Sequence, residues 1–114
     1  MYISFSKTLP QLMSGSKTVT RRAWCRSHHA AWCRAWDRGD VVHQAYDRLP
    51  YHGGKMIGYI KLAERPVRQR LCDMPQSDLA AEGGMCASIK DFIRFIQLPR
   101  QQKVSVIRFQ FTKR

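Results

Sequence analysis

Acidic residues are scarce in this sequence. Only eight Asp and Glu stand against twenty Lys and Arg, which gives a formal net charge of +12 at pH 7. The first acid is Asp37, so every charged side chain before it is basic. Such an imbalance creates a positive potential over much of the surface and favours a polyanionic partner, although basic charge also serves solubility alone. Of these two interpretations we favour nucleic acid binding.

Long hydrophobic runs are also absent. No stretch approaches the roughly 18 consecutive apolar residues that a membrane-spanning helix needs, so we expect no insertion into a membrane. The segment Met1–Ser6 lacks the basic region and the apolar core of a secretory signal. We therefore expect a cytoplasmic protein whose cysteines remain reduced thiols. These cysteines are Cys25, Cys33, Cys72 and Cys86.

Paired metal-ligand motifs are missing as well. Cys25, His28, His29 and Cys33 lie close together in the sequence, but their spacing lacks the C-x-x-C pattern of zinc sites. We therefore predict no metal and no cofactor. His28 and His29 would alternatively serve a ribonuclease as acid and base, although adjacent residues project in different directions and a solvated helix is their more ordinary setting.

The sequence has the size and composition of one small globular domain. Its 114 residues and its hydrophobic fraction of 44% suit a single core. Alternating or β-branched segments predict six strands, over Tyr2–Ser6, Lys17–Arg22, Asp40–Tyr46, Lys55–Ala63, Val67–Cys72 and Val104–Phe111. Capping and turn residues predict helices over Thr8–Gly15, Ala23–Trp36 and Pro75–Glu82, and between Ser88 and Pro99. The chain is thus predicted to be mostly β, of the α+β class.

Three local patterns give more detailed predictions. Thr8 is placed to cap the first helix, and Ser88 with Asp91 three residues later forms a capping box for the last one. The apolar residues after Ser88 then repeat at helical spacing. In the last strand the apolar phase slips between Val106 and Ile107, which predicts a β-bulge.

Several motifs together resemble an ASCH domain. They are Gly-Ser-Lys-Thr-Val-Thr-Arg-Arg at residues 15–22, Gly-Asp-Val-Val at 39–42 and Ala-Glu-Gly-Gly at 81–84. The resemblance continues through Gly58, residues 88–93 and residues 106–109, so it covers nearly the whole chain. The G-x-K-T-x-T-x-R segment after a short helix is fairly specific, whereas the other two motifs would be weak alone.

The resemblance implies both a fold and a function. ASCH domains belong to the PUA-like superfamily, which implies one domain over residues 1–114. The expected fold is a small PUA-like β-barrel of about five to six strands flanked by three or four short helices. A basic cleft on one side would hold RNA or a nucleotide-like ligand. Some ASCH proteins are linked to ribonuclease action, so the family leaves the reaction open. We favour a monomer.

A second implication of the resemblance is catalytic. One bacterial group that is similar in the Lys-Thr segment hydrolyses acetylcytidine with a Lys, a Thr and a Glu, which match Lys17, Thr20 and Glu82. This chain differs from that group in its Trp- and Cys-rich segment and in having Gly-Gly after Glu82. An amidohydrolase acting on a modified nucleoside is therefore the alternative to RNA binding.

Physical chemistry adds conditions to this catalytic alternative. A Thr hydroxyl is a weak nucleophile, so Thr20 needs a base, and Lys17 acts as one only if burial or nearby Arg charges lower its pKa. Lys17 must also lie in a turn, because residues three apart on a strand point to opposite faces. Glu82 stands in the last turn of a predicted helix, where a carboxylate opposes the macrodipole, which suggests a functional reason. An exposed lysine, a strand threonine and a surface carboxylate remain the plain alternative.

The same region supplies the predicted RNA contacts. Cationic, hydroxyl and aromatic side chains bind phosphates and stack on bases. The predicted contacts are Lys17, Thr18, Thr20, Arg21, Arg22, Trp24, Arg26 and Tyr46. Trp24 is the candidate for a cleft wall, whereas Trp32 and Trp36 are predicted to lie in the core.

Overall fold

The computed structural model describes all residues from Met1 to Arg114. In chain order the elements are β1 (Tyr2–Ser4), α1 (Leu9–Ser14), β2 (Val19–Arg22), α2 (Arg26–Asp37), β3 (Val42–Tyr46), β4 (Met56–Leu62), β5 (Val67–Arg70), α3 (Asp78–Ala81), α4 (Ile89–Ile96) and β6 (Lys103–Lys113). Two short 3-10 turns cover Pro50–His52 and Leu71–Asp73. The six strands and four helices agree with the number of elements that the sequence predicts.

The strands form one mixed sheet that is curled into a half-barrel. The strand order is β1-β3-β4-β6-β2, and β5 also pairs with β6. The β1–β3 pair is parallel and the other pairs are antiparallel. The predicted α+β barrel with short flanking helices is therefore confirmed. Because β1 and β2 are the two ends of the strand order, each has a strand neighbour on only one side.

Alternation of apolar and polar residues explains the central strands. In β4, Gly58, Ile60 and Leu62 are buried, whereas Tyr59 and Lys61 between them are exposed. This period of two directs one face of the strand into the core, as expected for a strand with one solvated face. A core cluster on that side includes residues from both ends of the chain and from α2: Ile3, Phe5, Leu12, Trp32, Ala45, Ile60, Leu62, Ile107 and Phe109.

The last strand, β6, is buried on both faces. Val104 and Val106 belong to a second core cluster that also contains Phe92 of α4, whereas Ile107 and Phe109 belong to the first. The pairing of β6 with β2 runs without a register shift through this point. The predicted bulge between Val106 and Ile107 is therefore wrong. The apolar phase slips because the strand separates two cores.

The helices are short and differ in how they begin. Ser88 Oγ accepts a hydrogen bond from the backbone N–H of Asp91 at 3.1 Å, so the predicted cap of α4 is confirmed. Thr8 precedes α1 but its side chain makes no capping hydrogen bond, so that predicted cap is wrong. The longest helix, α2, has 12 residues. None of the helices has the length and apolar character needed to cross a bilayer.

Candidate functional site

A pocket lies in the gap between the two ends of the half-barrel. Its volume is about 300 Å³, at the lower end of the range for small-molecule sites. One wall is the segment from Ser4 of β1 to Thr8, and the opposite wall is β2. Lys17 and Ala23 line it on either side of β2, and the segment after α3 and α4 with its end contribute Glu82, Phe92, Phe95, Ile96 and Leu98. We call this cavity the basic pocket.

Glu82 stands at the centre of a buried ion cluster in the basic pocket. Its Oε1 accepts from Lys17 Nζ at 2.8 Å and its Oε2 accepts from Arg21 Nη1 at 2.8 Å. Lys17 Nζ also donates to the backbone carbonyl of Glu82 at 3.0 Å. The side chains of Lys17 and Glu82 are each only 2% exposed. Two cations thus share one carboxylate that is almost completely removed from water.

Arg21 extends this cluster away from the pocket. Its Nη2 donates to Asp78 Oδ2 at 2.6 Å and to Gln69 Oε1 at 3.0 Å, and its side chain is 0% exposed. Arg108 donates two further hydrogen bonds to Asp78. Burial raises the pKa of Asp78, but the hydrogen bonds and charges of Arg108 and Arg21 outweigh it and hold that pKa below its ordinary value. Arg21 therefore orients Glu82. The sequence predicted Arg21 to be an RNA contact, but its guanidinium is held by these partners and is not free to contact a phosphate.

The pKa of Lys17 is lowered from the ordinary value of a lysine. Burial is the largest cause, and the positive charges of Arg22 and Arg21 act in the same direction, while Glu82 opposes them. Lys17 precedes β2, so it lies outside the regular strand, and both Lys17 and Thr20 line the basic pocket. Lys17 therefore lies outside the strand, as the catalytic alternative requires, in the irregular segment after the turn at Gly15; the predicted strand Lys17–Arg22 began two residues too early. The structure gives no hydrogen bond between Lys17 and Thr20.

Arg22 is a cation of the basic pocket with unused hydrogen-bonding capacity. Its Nε donates to Thr20 Oγ1 at 3.1 Å, and its guanidinium carbon lies 5.0 Å from the centroid of the Phe5 ring. The protein supplies neither a carboxylate within salt-bridge distance nor an acceptor for its two Nη atoms. Burial lowers the pKa of Arg22 to about 10, so the guanidinium stays protonated at neutral pH. A planar fork of this kind matches the oxygens of a phosphate.

The structure brings together five of the predicted site residues. They are Lys17, Thr20, Arg21, Arg22 and Glu82, which all line the basic pocket although Glu82 is far from the others in sequence.

The other four predicted contacts lie elsewhere. Thr18 is exposed and is held by its backbone to Ala81 and Phe109. Tyr46 packs edge-on against Tyr2 at the end of β3. Arg26 is exposed at the start of α2, and Trp24 lines a neighbouring cavity.

The histidines and cysteines do not converge on the basic pocket. His28 stacks against Trp24 with ring centroids 4.3 Å apart. His29 Nδ1 lies 2.8 Å from Ser105 Oγ, and its Nε2 lies 3.4 Å from Cys33 Sγ. No group of three or more His, Cys, Asp or Glu is placed to hold a metal ion. The cysteines form no disulfide.

Sequence reasoning missed several residues of the site. Lys7 and Thr8 follow β1 and line the basic pocket opposite β2. Asp78 and Gln69 accept hydrogen bonds from Arg21 and so fix its position. The position of Lys7 in the short loop between a strand and a helix is the one signal that would have indicated it, because such loops carry binding residues. Asp78 had no sequence signal, since its role arises from a contact over 57 residues.

Fold and site together define a small α+β half-barrel with a basic pocket between its two edge strands. No family model and no curated protein matches this sequence. The structure is similar to the crystal structure of protein EF3133 from Enterococcus faecalis V583, described under the family model DUF984. The two chains are 15% identical with a TM-score of 0.53, and the match covers 92% of this chain and 67% of that one. At this identity the likeness concerns the fold.

Proposed function

We propose that this protein is an ASCH-type RNA-binding domain that holds one nucleotide unit in the basic pocket. The observation that carries the proposal is the charge of this cavity. Lys7, Lys17, Arg21 and Arg22 line it, and Lys7 and Arg22 have no carboxylate partner, in a chain of net charge +12. A concave site with unneutralised cations attracts an anion, and the low dielectric of its walls strengthens that attraction.

The lining of the pocket suits a nucleotide better than a simple anion. The two free Nη groups of Arg22 offer a bidentate site for a phosphate. Phe95 and Ile96 add an apolar surface for a planar ring, while the hydroxyl groups of Ser4 and Ser6 offer hydrogen bonds to sugar or base. Charged, apolar and hydroxyl groups in one cavity correspond to the three parts of a nucleotide.

The resemblance to ASCH domains gains support from this geometry. The motif at residues 15–22 and the motif at residues 81–84 are separated by about half the chain, yet Lys17 of the first contacts Glu82 of the second at 2.8 Å. Two short motifs that match independently and then meet in one pocket are stronger support than either motif alone. The half-barrel shared with the DUF984 protein agrees with the expected fold.

A binding titration with matched variants tests the proposal. Fluorescently labelled single-stranded RNA is titrated with the wild-type protein, with Arg22→Ala and with Arg34→Ala. Both variants lose one positive charge, but Arg34 is exposed on α2 outside the basic pocket. A charge-assisted hydrogen bond is worth about 1.5–3 kcal/mol, so we expect Arg22→Ala to weaken binding about 10- to 100-fold and Arg34→Ala much less. Equal losses, or no binding by the wild type, would contradict the proposal.

Hydrolysis of an amide on a modified nucleoside is the second candidate function. The convergence of Lys17, Thr20 and Glu82 in the basic pocket favours it, because these are the three residues that the resemblance assigns to catalysis. Thr20 Oγ1 accepts a hydrogen bond from Arg22, which leaves its own proton free to be removed. Lys17 already has a lowered pKa, as a general base requires.

Turnover of acetylcytidine tests this second candidate. Water would cleave the amide to release cytidine and acetate, and chromatography measures both products. Thr20→Val keeps the size of the side chain but removes the hydroxyl, so it should abolish hydrolysis by a nucleophilic Thr20 while binding persists. Thr18→Val is the matched control, because Thr18 is exposed outside the pocket. The same incubation with RNA measures ribonuclease activity, which stays a prediction.

A further inference from the structure

A second cavity, rich in aromatic side chains, adjoins the basic pocket. Its volume is about 450 Å³, and Tyr2, Trp24, His28, Trp32 and Tyr51 contribute aromatic rings to its lining. We call it the aromatic pocket. It shares Ser4 and Arg22 with the basic pocket, so the two cavities meet at these residues. The resemblance to a known family does not account for it, and neither does the ion cluster around Glu82.

The aromatic side chains of this pocket are arranged partly as a stack and partly as an exposed rim, where Tyr51 packs edge-on against His52. Trp24 stacks with His28 at 4.3 Å and with Trp32 at 4.9 Å between ring centroids. This stack is anchored, because Trp32 is completely buried. Tyr51 is different because it is 72% exposed, more than any other large hydrophobic residue of the chain. An exposed aromatic ring beside a rigid aromatic stack is suited to hold a flat ligand between them.

Polar groups around the aromatic pocket also lack partners. Trp32 lines the pocket but is completely buried, and its indole Nε1 has no hydrogen-bond acceptor from the protein. A buried donor left unpaired costs free energy. At the junction of the two pockets, the Nη atoms of Arg22 likewise have no acceptor from the protein. The pocket therefore combines aromatic surface with an unneutralised cation where it meets the basic pocket.

We propose that the aromatic pocket holds the base of a second nucleotide, and that Arg22 binds the phosphate that links it to the nucleotide in the basic pocket. This inference rests on the proposed function and specifies its ligand as two consecutive nucleotides of a strand. The position of Arg22 in both linings places a bidentate cation where a linking phosphodiester must pass. Bases stack on aromatic side chains in proteins that bind single strands, and this stacking tolerates different sequences.

Short ligands separate this inference from the proposed function. A cytidine mononucleotide, a cytidine dinucleotide and the same dinucleotide with an uncharged methylphosphonate linkage are compared by calorimetry. We expect the dinucleotide to bind at least about tenfold more tightly than the mononucleotide, because one stacked base contributes that much. With the wild type, the methylphosphonate should bind more weakly than the charged dinucleotide, because it keeps the stacked base but lacks the charge that Arg22 binds. With Arg22→Ala, charged and uncharged dinucleotides should bind alike.

A variant at the rim tests the stacking itself. Tyr51→Ala should weaken binding of the dinucleotide about tenfold and leave the mononucleotide unchanged. Tyr51→Phe keeps the ring and should restore binding, while Tyr59→Ala, another exposed tyrosine on β4, is the matched control. If mononucleotide and dinucleotide bind equally, or if Tyr51→Ala has no effect on the dinucleotide, the second site is wrong and the proposed function stands. If no ligand binds, both proposals are wrong.

Discussion

Glu82 is the residue on which the basic pocket depends most. It compensates two buried cations, Lys17 and Arg21, at 2.8 Å each. A buried ion pair adds little stability over apolar packing, but removing one partner leaves the others uncompensated in a low dielectric. A loss of activity in a Glu82 variant would therefore not by itself demonstrate catalysis, because the positions of Lys17 and Arg21 would change as well.

The first prediction concerns the stability of Glu82→Gln. This substitution keeps the shape of the side chain but removes the charge, so we expect the free energy of unfolding to fall by about 3–5 kcal/mol. Glu64→Gln is the control, because Glu64 forms its ion pair with Arg108 at the surface, where such pairs contribute about 0–1 kcal/mol. Urea denaturation followed by tryptophan fluorescence measures both. Equal stability of the two variants would contradict a buried cluster.

The second prediction is the pH dependence that Asp78 gives to stability. Its pKa in the folded protein lies below the ordinary value of 3.8, so the unfolded chain binds more protons as the solution becomes acidic. The contribution of Asp78 is present above about pH 4 and is lost as the pH falls through the pKa of the folded state. Urea midpoints measured between pH 3 and pH 6 should fall less steeply toward acid for Asp78→Asn than for the wild type. An equally steep fall for Asp78→Asn and for the wild type would contradict this contribution.

At the residue scale, the sequence predicted what depends on local geometry. The period of two showed that Lys17 and Thr20 share a site only if Lys17 lies outside the strand, although the predicted strand itself began at Lys17. The role of Arg21 did not follow, since it depends on Asp78 and Gln69, which reach it only through the folded chain. In a sequence, two adjacent basic residues indicate a phosphate contact, whether or not the fold pairs one of them with carboxylates.

At the scale of elements, burial on both faces was the main source of error. A strand with one solvated face alternates, and β4 was recognised from this alternation. In β6 the buried residues Val104, Val106, Ile107 and Phe109 include a consecutive pair. A consecutive apolar pair results either from a bulge or from a second core, and periodicity alone does not distinguish the two. The cap of α4 was predictable because Ser88 and Asp91 lie three residues apart at the start of one helix.

The third prediction concerns the turn after α3, which positions Glu82. Gly83 has a φ of +130°, a region that side chains rarely adopt, and a Cβ there would lie 2.9 Å from Gln11 Cβ of α1. Gly83→Ala should therefore push the turn away from α1 and reduce stability by about 1–3 kcal/mol. Gly84→Asn is the control, because Gly84 has a left-handed φ of +75° and open space around it. Urea denaturation and RNA titration should both report a larger effect for Gly83→Ala than for the control.

For the molecule as a whole, the placement of the few acids decides where the excess charge acts. Asp37, Asp40, Asp73 and Asp91 each pair with an exposed arginine. Glu64, Asp78 and Glu82 pair with Arg108, Arg21 and Lys17. The remaining cations are unneutralised, and among them Lys7 and Arg22 line the basic pocket. The fold thus places two of the unneutralised cations in the basic pocket, which the composition does not predict.

The last prediction is the salt dependence of RNA binding. When a protein cation neutralises one phosphate of a single strand, condensed counterions are released. Each such contact contributes about −0.7 to the slope of the logarithm of the binding constant against the logarithm of the salt concentration. If a ten-nucleotide RNA contacts at least Lys7 and Arg22, the slope for the wild type should be about −1.4 or steeper.

Arg22→Ala should make the slope less steep by about 0.7, because one phosphate contact is lost. Arg34→Ala lowers the net charge equally but should leave the slope unchanged, since Arg34 lies outside both pockets. Titrations from 50 to 200 mM salt by fluorescence anisotropy measure all three slopes. An equal change in both variants would mean that RNA senses the overall charge of the protein and not the cations in the gap between β1 and β2.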